Sequence, residues 1–162
     1  MRTSLLAAAI FGLDRFTKHL VESRMQPYES HTVIPGFLDI VRSSNPGVAF
    51  GLLASSPDLW RTGALIGFSI AALIFLAVIF WRTRGQNRLT STAIALIFGG
   101  AAGNVFDRFR WGSVTDFLDF YVGNWHWYTF NVADTAITIG AAILLYQTLE
   151  KSRAERARKA HA

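Results

Sequence analysis

The sequence predicts an all-α integral membrane protein, in which a bundle of four transmembrane helices carries a small β-rich extracytoplasmic platform. Three observations predict this fold class. Of the 162 residues, 51% are hydrophobic and only 17% are charged, whereas soluble domains carry about 25% charged residues. Uncharged runs long enough to cross a bilayer recur along the chain, and basic residues are concentrated on one side of the resulting topology. The length is that of one domain, so we assign residues 1–162 to a single membrane domain.

Three segments match the length of a transmembrane helix. Residues 62–81 form a run of twenty without a charge, and residues 89–106 form a second uncharged run of eighteen. Residues 130–149 form a third run, which only Asp134 interrupts. At about 1.5 Å per residue, helices of this length span a hydrocarbon core of about 30 Å. We therefore predict membrane-spanning helices over these three segments.

The first apolar segment supports two interpretations. Arg2, followed by the apolar residues 5–13, has the pattern of a secretory signal peptide. No small-residue cleavage site follows, however, and we favour a transmembrane helix over residues 4–21. Asp14 and Lys18 then lie one turn apart on the same helix face, where they can neutralise one another as a structural ion pair. Such a pair reduces the cost of charge in a membrane, which is about 2.5–3.5 kcal/mol for each unpaired residue.

The distribution of lysine and arginine predicts the orientation of the four helices. One side of the membrane carries nine of the sixteen basic residues, in the N-terminus, the short 82–88 loop and the tail 150–162. The other side carries five, spread over the long loops 22–61 and 107–129. Because the cytoplasmic side is the more basic one, both termini are predicted to be cytoplasmic, with the tail attracted to anionic lipid. The two long loops then face outward.

The outward-facing loops are rich in turn-forming and aromatic residues. Residues 31–53 contain Val33, Phe37 and Val41 among prolines, glycines and one asparagine, which predicts a short β-rich platform on the bilayer surface. Aromatic residues flank the second helix and fill the second outer loop, as in an interfacial belt; they are Trp60, Trp81, Trp111, Tyr121, Trp125, Trp127 and Tyr128. In the third helix, Gly99 and Gly103 have the spacing that lets two helices pack closely.

The composition argues against several functional classes. The chain has no cysteine, which excludes disulfides, a thiolate nucleophile and cysteine-based zinc sites. Its four histidines lie far apart without a metal-binding motif, so we predict no metal and no other cofactor. A nucleic-acid partner is not expected either, because half of the chain is apolar and five of the basic residues crowd into the tail.

Polar residues gather at one predicted depth, the outer membrane surface. They are Asn45, Asn104, Asp107, Arg108, Asp116, Asp119, Asn131 and Asp134. Asp134 lies in the first turns of an otherwise uncharged helix, either as an acid favoured by the helix dipole or as a functional carboxylate. The preceding loop must return to the start of that helix, so either Asp116 or Asp119 can approach Asp134. Two carboxylates that share a proton can activate a water molecule against a peptide carbonyl.

Four blocks of sequence carry a resemblance to a known family. They are residues 14–18 (DRFTK), 45–51 (NPGVAFG), 103–108 (GNVFDR) followed by 112–117 (GSVTDF), and 130–134 (FNVAD). In this order, the blocks resemble the signature blocks of the bacterial lipoprotein signal peptidase (signal peptidase II) family. The resemblance covers nearly the whole chain, from the first predicted helix to the last.

The resemblance implies an aspartic endopeptidase of the bacterial inner membrane. Such an enzyme, surrounded by membrane lipid, removes the signal peptide from diacylglyceryl-modified prolipoproteins by cleaving before the lipidated cysteine, at the periplasmic face. The family's catalytic pair falls on Asp116 and Asp134, which leaves Asp119 as a neighbour without a catalytic part. Its substrate contacts fall on Asn45, Asn104, Asp107, Arg108 and Asn131, while Asp14 and Lys18 match a block that we interpret as structural. The activity requires no metal, and a monomer suffices for it.

A second hypothesis comes from another functional class. Asp14 and Asp134 could be intramembrane relay sites of a small proton-coupled carrier. Such carriers usually have more spans or internal repeats, and neither is present in this sequence. A pH-driven flux assay in vesicles, run beside a peptidase assay, separates the two hypotheses.

Overall fold

The computed structural model describes residues 2–46, 58–82 and 87–160. Within these ranges it contains four helices and four strands: α1 (Arg2–Arg24), β1 (Ser30–Ile34), β2 (Leu38–Asn45), α2 (Asp58–Arg82), α3 (Arg88–Trp111), β3 (Val114–Val122), β4 (Trp125–His126) and α4 (Val132–Ala160). The central helix is α3, since it packs against α1, α2 and α4. The strands form a sheet that contacts α1 and α3.

Small residues let α3 pack closely against its neighbours. Gly99 faces α1, where an added Cβ would lie 2.5 Å from the carbonyl oxygen of Ala7. Gly100 faces the first turn of α4, at the backbone of Ala133. Gly103 also faces α1. The predicted close packing at Gly99 and Gly103 is therefore confirmed, because a side chain at either position would force the helices apart.

The four strands form one antiparallel sheet in the order β1–β2–β3–β4. In the turn between β1 and β2, Gly36 has a φ of 78°, a left-handed conformation that glycine adopts without strain. In the β2–β3 ladder, Asp116 lies opposite Ser43. A β-rich segment is expected over residues 31–53; the structure has β1 and β2 there, and residues 47–53 lie outside the described residues.

A small apolar cluster joins the sheet to the helices. Val21 and Met25, at the end of α1, are buried against Phe117 of β3, and Val132 at the start of α4 packs onto them. Successive side chains of a strand point to opposite faces. Because Phe117 faces this cluster, the preceding side chain, that of Asp116, is directed to the other face of β3.

The structure corrects the predicted start of the second outer loop. Helix α3 continues past the uncharged run to Trp111, where Gly112 ends it with a φ of 74° and donates its backbone N–H to the Arg108 carbonyl. Asp107 and Arg108 therefore lie on the last turns of a helix and not in a loop over 107–129. The remainder of that loop contains β3 and β4. An apolar run ends at the first charge, whereas a helix continues when its charged side chains find partners in the fold.

The other helices are also longer than the predicted spans, and α4 continues through the basic tail as far as Ala160. Two helices of the described ranges are long and apolar enough to cross a membrane, Arg88–Trp111 and Val132–Ala154. Membrane passage by α1 and α2, and hence the topology of four transmembrane helices, stays a prediction.

Candidate active site

Asp116 and Asp134 line the same cavity. Asp116 lies on β3 and is 2% exposed, and Asp134 lies in the first turn of α4. The cavity has a volume of about 540 Å³, and its other walls are formed by Asn45, by the segment 127–130 and by one face of α4. The carboxyl groups of Asp116 and Asp134 therefore share one cavity.

Asn131 links the two aspartates. Its side-chain oxygen accepts a hydrogen bond from the Asp134 N–H (3.0 Å), and its own N–H donates to Asp134 Oδ2 (3.3 Å). This reciprocal exchange is a capping box, which satisfies free N–H groups at the N-terminus of α4. The Asn131 side-chain amide also donates to Asp116 Oδ1 (2.6 Å). One asparagine therefore caps α4 and holds both carboxylates at one site.

The carboxyl group of Asp116 retains its proton to a higher pH than an ordinary aspartate. Burial raises the pKa of Asp116 to about 6, and the negative charge of Asp134 acts in the same direction. Hydrogen bonds from Asn45 and Asn131 partly offset this rise; the Asn45 amide donates to Asp116 Oδ2 at 2.9 Å. Burial has this effect because the ionised form loses its hydration.

Two residues near the end of α3 face the same carboxylates. Asn104 is buried and donates from Nδ2 to Asp134 Oδ1 (2.8 Å). Arg108 lies one turn later, close enough for its positive charge to act on Asp134 and Asp116. Its Nε is buried and has no hydrogen-bond partner among the described residues. A guanidinium with a free N–H can bind a carbonyl or carboxylate oxygen of a peptide.

A neighbouring group of charges joins α1 to α3, and we call it the ionic cluster: Asp14, Arg15, Lys18 and Asp107. The Lys18 ammonium pairs with Asp14 Oδ2 (2.8 Å) and with Asp107 Oδ2 (2.7 Å), and Arg15 also pairs with Asp107. The side chains of Asp14 and Lys18 are fully buried. The ion pair expected between Asp14 and Lys18 is therefore present, as part of a larger cluster with two charges of each sign.

The structure does not bring every predicted site residue to the cavity. Asn45, Asp116 and Asp134 line it, and Asn104 and Asn131 are bonded to its carboxylates as described above. Asp107 is different, because its side chain is 1% exposed and is held by two cations of the ionic cluster. A substrate contact at Asp107 would require these ion pairs to break, so the geometry favours a structural role for this residue.

Asp119 is turned away from the cavity. Its carboxylate lies 2.9 Å from Nδ1 of His126, across the β3–β4 hairpin. Sequence reasoning missed His126, although Gly123 and Asn124 form a two-residue pair that is typical of hairpin turns. It also missed Arg15, whose partner Asp107 is 92 residues away in the chain. Among the described residues, no three histidine or acidic side chains are grouped so that they could hold a metal ion.

Comparison with known proteins identifies the family. A family model described as signal peptidase (SPase) II matches residues 6–150. The chain belongs to the signal peptidase II family. A lipoprotein signal peptidase of Solibacter usitatus is 51% identical over 148 residues, which cover 91% of this chain and 90% of the relative. A lipoprotein signal peptidase of Desulforapulum autotrophicum is 45% identical over 150 residues, 92% of each chain.

Solved structures agree with this family assignment. Two structures, both described as bacterial membrane enzymes, have the same fold as this signal peptidase II. One has a TM-score of 0.80 at 34% identity and covers 91% of this chain and 92% of its own. The other has a TM-score of 0.77 at 28% identity, with 93% and 89% covered. The protein is therefore a bacterial membrane protease, and the hypothesis of a proton-coupled carrier finds no support among these relatives.

Proposed function

We propose that this signal peptidase II is an aspartic endopeptidase that removes signal peptides from diacylglyceryl-modified prolipoproteins, with Asp116 and Asp134 as its catalytic pair. The observation that carries the proposal is the shared cavity, in which Asn131 bonds to both carboxyl groups. The similar proteins named lipoprotein signal peptidase support the substrate class. Cleavage falls before the lipidated cysteine of the substrate.

Peptide hydrolysis by two carboxyl groups requires one that is ionised and one that is protonated. The ionised Asp134 takes a proton from a water molecule while the water oxygen attacks the scissile carbonyl carbon. The protonated Asp116 donates its proton to the carbonyl oxygen, which gives a neutral tetrahedral diol. When the C–N bond breaks, Asp134 returns its proton to the amine nitrogen, and Asp116 recovers its own from the diol. The raised pKa of Asp116 supports its assignment as the initial proton donor.

Four polar residues are proposed to hold the scissile backbone against this pair: Asn45, Asn104, Arg108 and Asn131. The three asparagines already donate to the carboxylates, so they orient the acids and leave their remaining capacity for substrate. The free Nε–H of Arg108 can donate to a substrate carbonyl. Asp107 is not included, because two cations of the ionic cluster hold its side chain.

The proposed setting is a single membrane domain of the bacterial inner membrane, with four transmembrane helices and both termini in the cytoplasm. Support for two spans comes from the length and apolarity of α3 and α4, and α1 and α2 pack against α3. The catalytic pair lies at the end of the bundle that carries the sheet, and we assign this end to the periplasmic face. A monomer suffices, since both aspartates come from one chain.

Cleavage of a lipidated prolipoprotein by the purified protein in detergent micelles tests the assignment. We expect Asp116→Asn and Asp134→Asn each to abolish turnover, because each variant lacks one of the two groups that transfer protons, while both variants stay folded. Asp119→Asn is the matched control, since this carboxylate pairs with His126 away from the cavity, and it should retain activity. Turnover near that of the unmodified enzyme by either Asp116→Asn or Asp134→Asn contradicts the proposal.

A further inference from the structure

Lys18 is a fully buried lysine whose amino group is surrounded by three oxygen atoms. Its Nζ lies 2.8 Å from Asp14 Oδ2, 2.7 Å from Asp107 Oδ2 and 2.9 Å from Asn104 Oδ1. An ammonium group has N–H donors and no acceptor; Lys18 donates hydrogen bonds to Asp14 and Asn104 and forms an ion pair with Asp107. Two of these contacts balance the charge of Lys18. The third contact is to a neutral amide, which lies beside the catalytic pair.

The contact with Lys18 determines which way the Asn104 amide points. The Asn104 oxygen accepts from Lys18 and from Asn131 Nδ2 (3.3 Å). If the amide rotated by half a turn, its NH2 group would face these two donors in a buried site, where unpaired donors are costly. The NH2 group is therefore held toward Asp134, and it donates to Oδ1 at 2.8 Å.

We propose that Lys18 is a positioning residue for the peptidase reaction and acts through Asn104 on the carboxylate of Asp134. The inference rests on the proposed function, in which Asp134 is catalytic. The buried ammonium orients the Asn104 amide, and that amide directs an N–H at Asp134 Oδ1, while Asn131 donates to Oδ2. Because both of its oxygens accept hydrogen bonds, the Asp134 carboxylate is held in one orientation. This is the orientation in which we propose that it takes a proton from the water molecule.

Helix α1 also holds Asp134 through the main chain. Asp14 Oδ1 accepts a hydrogen bond from the Ala133 N–H (2.9 Å), directly before Asp134, and the other oxygen of Asp14 accepts from Lys18. The absence of a side chain at Gly103 allows this approach, since a Cβ there would collide with the Asp14 carboxylate. One turn of α1 therefore restrains both the main chain and the side chain of the catalytic residue.

A purely structural role of the ionic cluster makes a different prediction. Breaking an ion pair would then lower stability, and the loss of activity would follow the loss of folded protein. A positioning role predicts that kcat falls in protein that remains folded, while KM changes little, because Lys18 is not among the residues that line the cavity. It also predicts that the fall in kcat depends on the presence of the Asn104 amide.

The test uses the full chain in detergent micelles with a lipidated prolipoprotein as substrate. Replacing Lys18 alone leaves the two buried carboxylates of the cluster with Arg15 as their one cation, so the variant Lys18→Met/Asp14→Asn removes one charge of each sign and keeps an oxygen for the Ala133 N–H. We expect kcat to fall about 10- to 100-fold with KM nearly unchanged. In an Asn104→Ala background the same double substitution should cause no further fall, as for residues that act in series. Additive losses overturn the proposal.

Arg15→Gln is the matched control, because Arg15 belongs to the ionic cluster and pairs with Asp107 and Glu22. It should lower thermal stability and leave kcat within about twofold of the unmodified enzyme. If kcat fell as far in Arg15→Gln as in Lys18→Met/Asp14→Asn, any disruption of the ionic cluster would lower activity, and the proposed role of Lys18 would be wrong.

A crystal structure of Lys18→Met/Asp14→Asn provides a readout that is independent of activity. The separation of Asn104 Nδ2 from Asp134 Oδ1 should increase beyond hydrogen-bond distance, and an unchanged contact rejects the role of Lys18. The two proposals fail in different ways. Activity in Asp134→Asn removes the proposed function, whereas full kcat in the Lys18 variant beside an inactive Asp134→Asn rejects this inference alone.

Discussion

Replacing Asp116 by asparagine should stabilise the protein even though it abolishes activity. Burial raises the pKa of Asp116 from the ordinary aspartate value of 3.8 to about 6. The unfolded chain therefore loses this proton at a lower pH than the folded chain does. The free energy of unfolding falls as the pH rises from about 4 to about 6, and above that range the folded protein bears the full cost of the buried charge.

The structure sets the size of this effect. A tenfold change in proton affinity corresponds to about 1.4 kcal/mol, so the raised pKa of Asp116 costs about 3 kcal/mol when the group is ionised. Screening by solvent reduces this value little, because Asp116 is 2% exposed. The new amide has one oxygen for two donors, Asn45 and Asn131. The exposed Asn45 amide can rotate so that its oxygen accepts from the new amide, at a cost of about 1 kcal/mol. The free energy of unfolding then rises by a net value of about 2 kcal/mol.

Thermal unfolding in detergent micelles, at about pH 8 and about pH 4, measures this gain. Asp116→Asn should have a higher Tm than the unmodified protein at the higher pH, and an equal or lower Tm at the lower pH. Asp119→Asn is the control on the same strand; its carboxylate pairs with His126, so its loss should give no gain at the higher pH. Equal destabilisation of Asp116→Asn at both pH values would refute the reasoning.

Two further predictions concern helix packing and the pH profile of the reaction. Gly100→Ala should lower the stability by about 1–3 kcal/mol, because its Cβ would collide with the Ala133 backbone. Gly12→Ala, where nothing lies within 4 Å of the added carbon, should leave the Tm nearly unchanged, and equal losses in both variants would contradict this explanation. Asn45→Ala should move the alkaline limb of the kcat/KM profile to higher pH, since it removes a hydrogen bond that lowers the pKa of Asp116. Movement to lower pH would argue against Asp116 as the proton donor.

The helices could be predicted from the sequence wherever they contain a continuous run of uncharged residues. Uncharged runs over 62–81, 89–106 and 130–149 lie within α2, α3 and largely α4. Strand β3 was not predicted, because Asp116 and Asp119 interrupt its apolar pattern and aspartate is disfavoured in strands. Both acids are accepted there because they have partners from distant parts of the chain and from the adjoining hairpin.

The choice between Asp116 and Asp119 could not be made from spacing because the strand that carries both residues was not predicted. In a loop, either residue can approach Asp134, so spacing alone left both open. In a strand, two residues separated by three positions point to opposite faces, so only one of them can face the cavity. The contact of Phe117 with the end of α1 determines that this residue is Asp116.

By itself, the sequence determined the apolar segments, the acidic residue Asp134 in the first turns of the last helix, and the blocks that indicate the family. These features depend on residues within one or two helical turns of each other. Only the tertiary structure decided that Asp107 belongs to the ionic cluster and that Lys18 reaches Asn104, 86 residues away. Such contacts depend on the rotation of one helix against another, and a shift of one residue, about 100° around a helix, would direct each side chain to a different neighbour.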